Sequence, residues 1–122
     1  MPRPAARLWY APAVLILLAL GVAPAPAHHG WSGYDSAQEL TLTGTIGAAG
    51  YEHPHGFVRL EVGDKTWLVV LAPPSRMERR GLPREALVPG ARVTVVGYPS
   101  RSGPAELRAE RIRFDGKSVE LR

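Results

Sequence analysis

All four histidines of this 122-residue chain fall in two pairs: His28 and His29 in "APAHHGWSGYD", and His53 and His55 in "GYEHPHGF". Imidazole is the commonest protein metal ligand, and its ordinary pKa lets it exchange a proton near neutral pH. Side chains two apart on an extended segment point the same way, and Pro54 pushes His53 towards extended backbone. The spacing therefore directs His53 and His55 at one point. Gly30, Gly33, Gly50 and Gly56 flank the two pairs and, lacking Cβ atoms, let backbone come close to a ligand.

The segment ahead of the first pair changes what His28 can do. Arg3 and Arg7 sit in a start without acids, "AVLILLALGV" (13–22) is uncharged and apolar, and Ala25-Pro26-Ala27 has the small-x-small form of a cleavage site. This is the pattern of a secretory signal peptide, placed over residues 1–27. The apolar run falls short of the roughly 20 residues of a spanning helix, and Pro12 interrupts it. The mature chain is expected in the periplasm or outside the cell, with no stable membrane anchor. Cleavage after Ala27 frees the α-amino group of His28, whose reference pKa near 8 makes it a usable donor around neutral pH.

That amine and the ring Nδ1 of the same histidine close a six-membered chelate. One imidazole from His55 or His53 completes a T-shaped set of three nitrogens. Nitrogen-rich tetragonal sites favour copper(II), whereas zinc, the rival ion, would take three or four histidines in a tetrahedron. The candidate metal ligands are thus His28, His29, His55 and His53. About ten residues of arm separate His29 from the first expected strand, enough to reach back roughly 30 Å when extended. The competing reading is four polar loop histidines packed beside Trp31 or Tyr51, with no metal at all. Residue types alone leave both open.

Composition removes other chemistries. Without cysteine there are no disulfides, no thiolate metal sites and no cysteine nucleophile. The net charge of +4 falls to +2 when Arg3 and Arg7 leave with the leader. The remaining basic residues interleave with acids, as in "MERRGLPREAL" (77–87). That describes a solvated mixed face and not a nucleic-acid stripe, so nucleic acid is not an expected partner. No serine lies in a Gly-x-Ser-x-Gly elbow, and no phosphate loop, dinucleotide fingerprint or haem-attachment motif is present. Asp35, Glu39 and Glu52 lie near the histidines and could orient an imidazole through its other nitrogen, although such acids are usually solvated. Arg76, Arg79 and Arg80 on the short helix could grip an anionic ligand, but a mixed surface face balanced by Glu78 is the preferred reading.

The elements that must position these groups are mostly strands. "LTLTGTI" (40–46) and "FVRLEV" (57–62) alternate with period two. "TWLVVL" (66–71) is apolar on both faces, as is much of "RVTVVGY" (92–98), and "LRAERIRF" (107–114) and "SVEL" (118–121) follow. Gly63-Asp64 and Asp115-Gly116 are hairpin turns, and Pro89-Gly90 is another turn. Between the third and fourth strands, Ser75 with Glu78 reads as a capping box opening a short helix that Gly81 stops. "PREALV" (83–88) adds a further single turn. Gly44 and Gly97, each inside a strand, suit the sharp bends of a small barrel. The order predicts a mainly β, OB-fold-like barrel of five to six strands over residues 40–122, with one short helix between strands 3 and 4. Residues 28–39 form an arm leading into it. An open β-sandwich is the alternative.

The combination of "AHHGWSGYD", "HPH", "VVLAPPSRMERRGL", "VTVVGYPS" and "RAERIRFDGKSVEL" resembles a family of small exported bacterial proteins known only as a domain of unknown function. The shared features are a His-His-Gly-Trp mature start, a Pro-His before the second strand, a Pro-x-Arg-x-x-x-x-Gly-Leu helix and a closing Arg-Ala-Glu-Arg strand. Here they pick out His28, His29, Gly30, Trp31, Pro54, His55, Arg76, Gly81 and Leu82. His53 departs from the pattern, which often has asparagine there. The resemblance implies a periplasmic OB-like protein and carries no activity.

Two functional readings follow, both of a binding module in preference to an enzyme. The first is a periplasmic metal-binding module, with copper as the preferred ion, that carries or buffers the metal or hands it to another periplasmic protein. The alternative is a metal-free OB-like interaction domain binding an oligosaccharide, peptide or partner protein through Trp31, Tyr34, Tyr51 and Arg59. A copper-dependent oxidase ranks last, because so small a chain offers little surface to position a substrate.

Overall fold

The computed structural model describes residues 1–5 and 30–122. Most of the expected leader, together with His28 and His29, lies outside these residues. Period-two alternation with β-branched residues gives six strands: β1 (Leu40–Gly50), β2 (Phe57–Val62), β3 (Lys65–Val70), β4 (Arg92–Pro99), β5 (Glu106–Phe114) and β6 (Lys117–Glu120). β1 pairs antiparallel with both β2 and β4, β2 with β3, and β4 with β5. A parallel pairing of β3 with β5, Leu68 opposite Glu106 through Val70 opposite Arg108, closes the circuit. The result is a five-stranded mixed barrel of OB-like order, with β6 added to the edge of β5.

β1 runs four residues beyond the expected stretch. Its first half pairs with β4 and its second with β2, and the register shifts between Ile46 and Ala48 where it turns from one to the other. Gly44 and Gly97 allow the closest backbone approaches: a Cβ at Gly44 would land on the Glu61 carbonyl oxygen, and one at Gly97 on the Arg108 carbonyl oxygen. The Asp115-Gly116 turn has φ of 47° and 74°, positive at both central positions as a type I′ hairpin requires.

Leu60, Val58, Val69, Val95, Leu107 and Ile112 fill the barrel, fully buried. The helix α1 (Pro74–Arg79) closes one end and sends Met77 into the same core. Its start differs from the expected capping box. Pro73 is the N-cap, Pro74 occupies the first turn, and no side chain caps the helix. Proline's fixed φ suits the first helical position and removes an amide that would need a partner there, so Ser75 falls inside the helix. A 3-10 turn follows at Arg84–Ala86. Arg76 and Arg80 donate to the carbonyls of Leu121, Glu120 and Arg122, which ties the helix to the chain after β6.

Tyr51 is part of this core, 8% exposed, and its hydroxyl donates to the Leu82 carbonyl at 2.8 Å. Tyr51→Phe would leave that carbonyl short of a donor. We expect it to lower the unfolding free energy by about 1–2 kcal/mol, read as a shifted denaturant midpoint at unchanged slope.

Candidate functional site

Alternation along β5 sends Leu107 and Ala109 into the barrel and therefore turns Arg108 outward. An outward arginine on a small barrel is ordinarily solvated. Arg108 is instead 8% exposed. The arm covers it: residues Trp31–Gly33 form a 3-10 turn, Tyr34 bridges to Ser100, the Asp35 amide donates to the Pro99 carbonyl at 2.8 Å, and the Arg101 amide donates to the Gly33 carbonyl at 3.0 Å. These backbone bonds lay the arm along the β4–β5 loop. The Trp31 indole then stacks on the Arg108 guanidinium, 4.8 Å from the ring centroid, with Arg122 against the same ring at 4.6 Å.

From the other side comes His55, in the loop between β1 and β2. An Arg108 Nη2 lies 3.3 Å from its Nε2. A guanidinium can only donate, so Nε2 accepts and the ring proton is assigned to Nδ1. Burial, then the positive charges of Arg108 and Arg76, lower the His55 pKa and favour the neutral imidazole. Tyr34 donates to Glu106 at 3.1 Å, and burial followed by the Glu106 carboxylate raises the phenol's pKa. The His-Pro peptide before His55 is cis.

These groups surround a cavity of about 750 Å³. Gly30 and Tyr34 of the arm, His55 and Gly56 of the β1–β2 loop, Ser100 and Ser102 of the β4–β5 loop, and Arg108 of β5 all line it. A site between those two loops is where OB-folds hold their ligands. Burial also lowers the Arg108 pKa, with Tyr34 acting in the opposite sense, yet the guanidinium keeps its charge. Among the described residues no carboxylate lies within 4.0 Å of it, and its buried Nε has no hydrogen-bond partner. A buried cation without a counter-ion is costly, and this one faces an open cavity.

The expected site residues separate accordingly. His55 and Tyr34 line the cavity, and Trp31 stacks on its arginine. His53 is exposed and does not line it. Tyr51 belongs to the core, where its hydroxyl is already bonded, and Arg59 is exposed on β2 away from the cavity. Among the described residues, no three His, Cys, Asp or Glu side chains gather closely enough to hold a metal ion. Arg108 and Glu106 do not stand out in the sequence as site residues. The one signal for Arg108 is that it opens the Arg-Ala-Glu-Arg stretch.

A model of a family of unknown function, DUF6152, matches residues 15–108. The chain belongs to the DUF6152 family. The matched span covers the arm and the β1–β2 loop and ends on Arg108, within β5. None of the curated proteins compared with this DUF6152 chain matches it. Among solved structures it is similar to a chain from the crystal structure of TiaS in complex with an isoleucine tRNA and ATP. That likeness has 19% identity and a TM-score of 0.50, over 73% of this chain and 20% of that one. It is a likeness of fold alone.

Proposed function

We propose that this DUF6152 protein is an exported binding module whose ligand seat is the His55 cavity, and that its mature N-terminal histidines make that seat a metal site. One observation carries the proposal. Gly30, bonded directly to His29, lines the same cavity as His55. Consecutive Cα atoms are about 3.8 Å apart, so a ligand set that combines His29 with His55 needs no long reach along the chain. The neutral His55 ring is the form that ligates. Ligation through Nε2 takes the lone pair now accepting from Arg108, so metal and guanidinium compete for one nitrogen. Copper is the preferred ion, because an amine with imidazoles forms the nitrogen-rich tetragonal set it favours.

The test is titration of the chain beginning at His28. The expected result is uptake of about one equivalent of copper(II), as two or three nitrogens and the preference of such sites for this ion imply. His28→Ala, or one residue added ahead of His28, is expected to abolish tight uptake. Unchanged uptake in both variants would eliminate the terminal chelate.

The metal-free interaction reading is favoured by a separate observation: Tyr34 and the buried Arg108 line the same cavity, with Trp31 packed on Arg108, without any need of His28 or His29. Ligand binding that survives removal of all four histidines would select it.

A further inference from the structure

We propose that Arg108 anchors an oxyanion, the carboxylate or phosphate of a ligand seated in the His55 cavity. This deepens the metal-free reading of the cavity and is independent of the histidine pair. Its first support is the unmet chemistry of the guanidinium. The side chain is more than nine-tenths buried, its Nε has no acceptor, and no carboxylate among the described residues pairs with it. Its polar contacts are the ring of His55 and the phenol of Tyr34, both uncharged, and the Glu106 carboxylate that also lines the cavity lies more than 4.0 Å from it.

The second support is that Glu106, a carboxylate that lines the cavity, and Glu110, two residues after Arg108 in the chain, are both already engaged. Glu106 accepts from Tyr34, and Glu110 accepts from Tyr98 at 2.8 Å and faces Arg122 at 3.9 Å. Neither pairs with Arg108. Trp31 lies against the guanidinium, 4.8 Å from ring centroid to the guanidinium carbon, and a guanidinium fork can present parallel N–H groups to two oxygens. Ser100 and Ser102 line the same cavity with their hydroxyls, while their amides are engaged within the protein, that of Ser100 by the Glu106 carbonyl and that of Ser102 by Ser100 Oγ. The structure thus offers a buried positive charge that the Tyr34-bonded Glu106 carboxylate does not meet, and leaves the negative partner of Arg108 to the ligand.

The experiment titrates sodium acetate and sodium phosphate, each against sodium chloride at matched ionic strength, into the His28→Ala/His29→Ala protein. The readouts are the Arg108 Nε–H resonance and the Trp31 indole resonance. We expect a saturable shift of both signals with one or both oxyanions and none with chloride. Tighter acetate binding identifies a carboxylate ligand, and tighter phosphate binding a phosphate. Arg108→Met should weaken binding by at least about tenfold, the loss expected of one charge-assisted contact. Absence of a saturable shift with either oxyanion overturns the proposal, as does equal response to chloride or undiminished binding in R108M. Should R108M fail to fold, the Arg108 Nε–H signal of the protein with arginine intact still decides the matter.

Discussion

Arg108→Met is expected to raise the unfolding free energy of the anion-free protein by on the order of 1–3 kcal/mol. The sign follows from burial without compensation. Taking a guanidinium out of water costs several kcal/mol after relaxation, and at Arg108 the return is a stack on Trp31 and contact with a neutral histidine and a neutral phenol. A stack of this kind is worth about 0.5–2 kcal/mol. Methionine keeps a long, flexible, apolar stem under the indole and removes the charge. Denaturant melts of both proteins in low-anion buffer check the sign. A loss of more than about 1 kcal/mol would mean that Arg108 holds the arm to the barrel, and the view of it as a group awaiting a ligand would fail.

Gly97→Ala should have the opposite and larger effect. Gly97 lies where the β4–β5 register shifts, and its Cα faces the Arg108 carbonyl so closely that an added Cβ would fall on that oxygen, with Ala109 Cα and the Arg108 carbonyl carbon also within 3.0 Å. The obstacle is backbone in a closed barrel, so no side chain can rotate away. Overpacking of a compliant core costs about 1–3 kcal/mol. Here we expect a loss exceeding about 3 kcal/mol, or a chain that does not fold, because the bend is needed to bring β4 back against β5. A melting temperature within a few degrees of the parent would show that the strands can separate at that corner, contrary to the register described above.

The same two positions show what is legible in the sequence. Gly97 and Gly44 stand out because a glycine inside an alternating strand has a short list of physical explanations, and close backbone approach is the one that applies. Alternation and turn chemistry likewise locate all six strands, because each depends on neighbours in sequence. The far end of β1 is not visible that way. "GAAG" has no alternation and weak β propensity, and it becomes strand only because β2 lies beside it. The start of α1 misleads because Ser75 with Glu78 has the form of a capping box while Pro73-Pro74 already supplies the helix entry.

The site is half legible. His55 is conspicuous because histidines cluster, and Trp31 and Tyr34 because they follow the first cluster. Tyr51 reads as a site residue and lies in the core, since an aromatic residue at a loop end carries no local sign of which way it faces. Nothing in the sequence singles out Arg108 as a site residue, and along β5 it points outward. Its burial comes from an arm nearly eighty residues earlier in the chain (Trp31 to Arg108), and no local pattern encodes that.

The most direct test of the shared cavity is the electron paramagnetic resonance spectrum of the chain beginning at His28, loaded with copper(II), beside that of its His55→Ala variant. If the terminal histidines and the β1–β2 loop close on one ion, the spectrum of the parent shows nitrogen couplings from both segments, and H55A loses one of them with a shift in the copper hyperfine splitting. Identical spectra would place the copper on the terminus alone and contradict the assembly of one site from two distant segments.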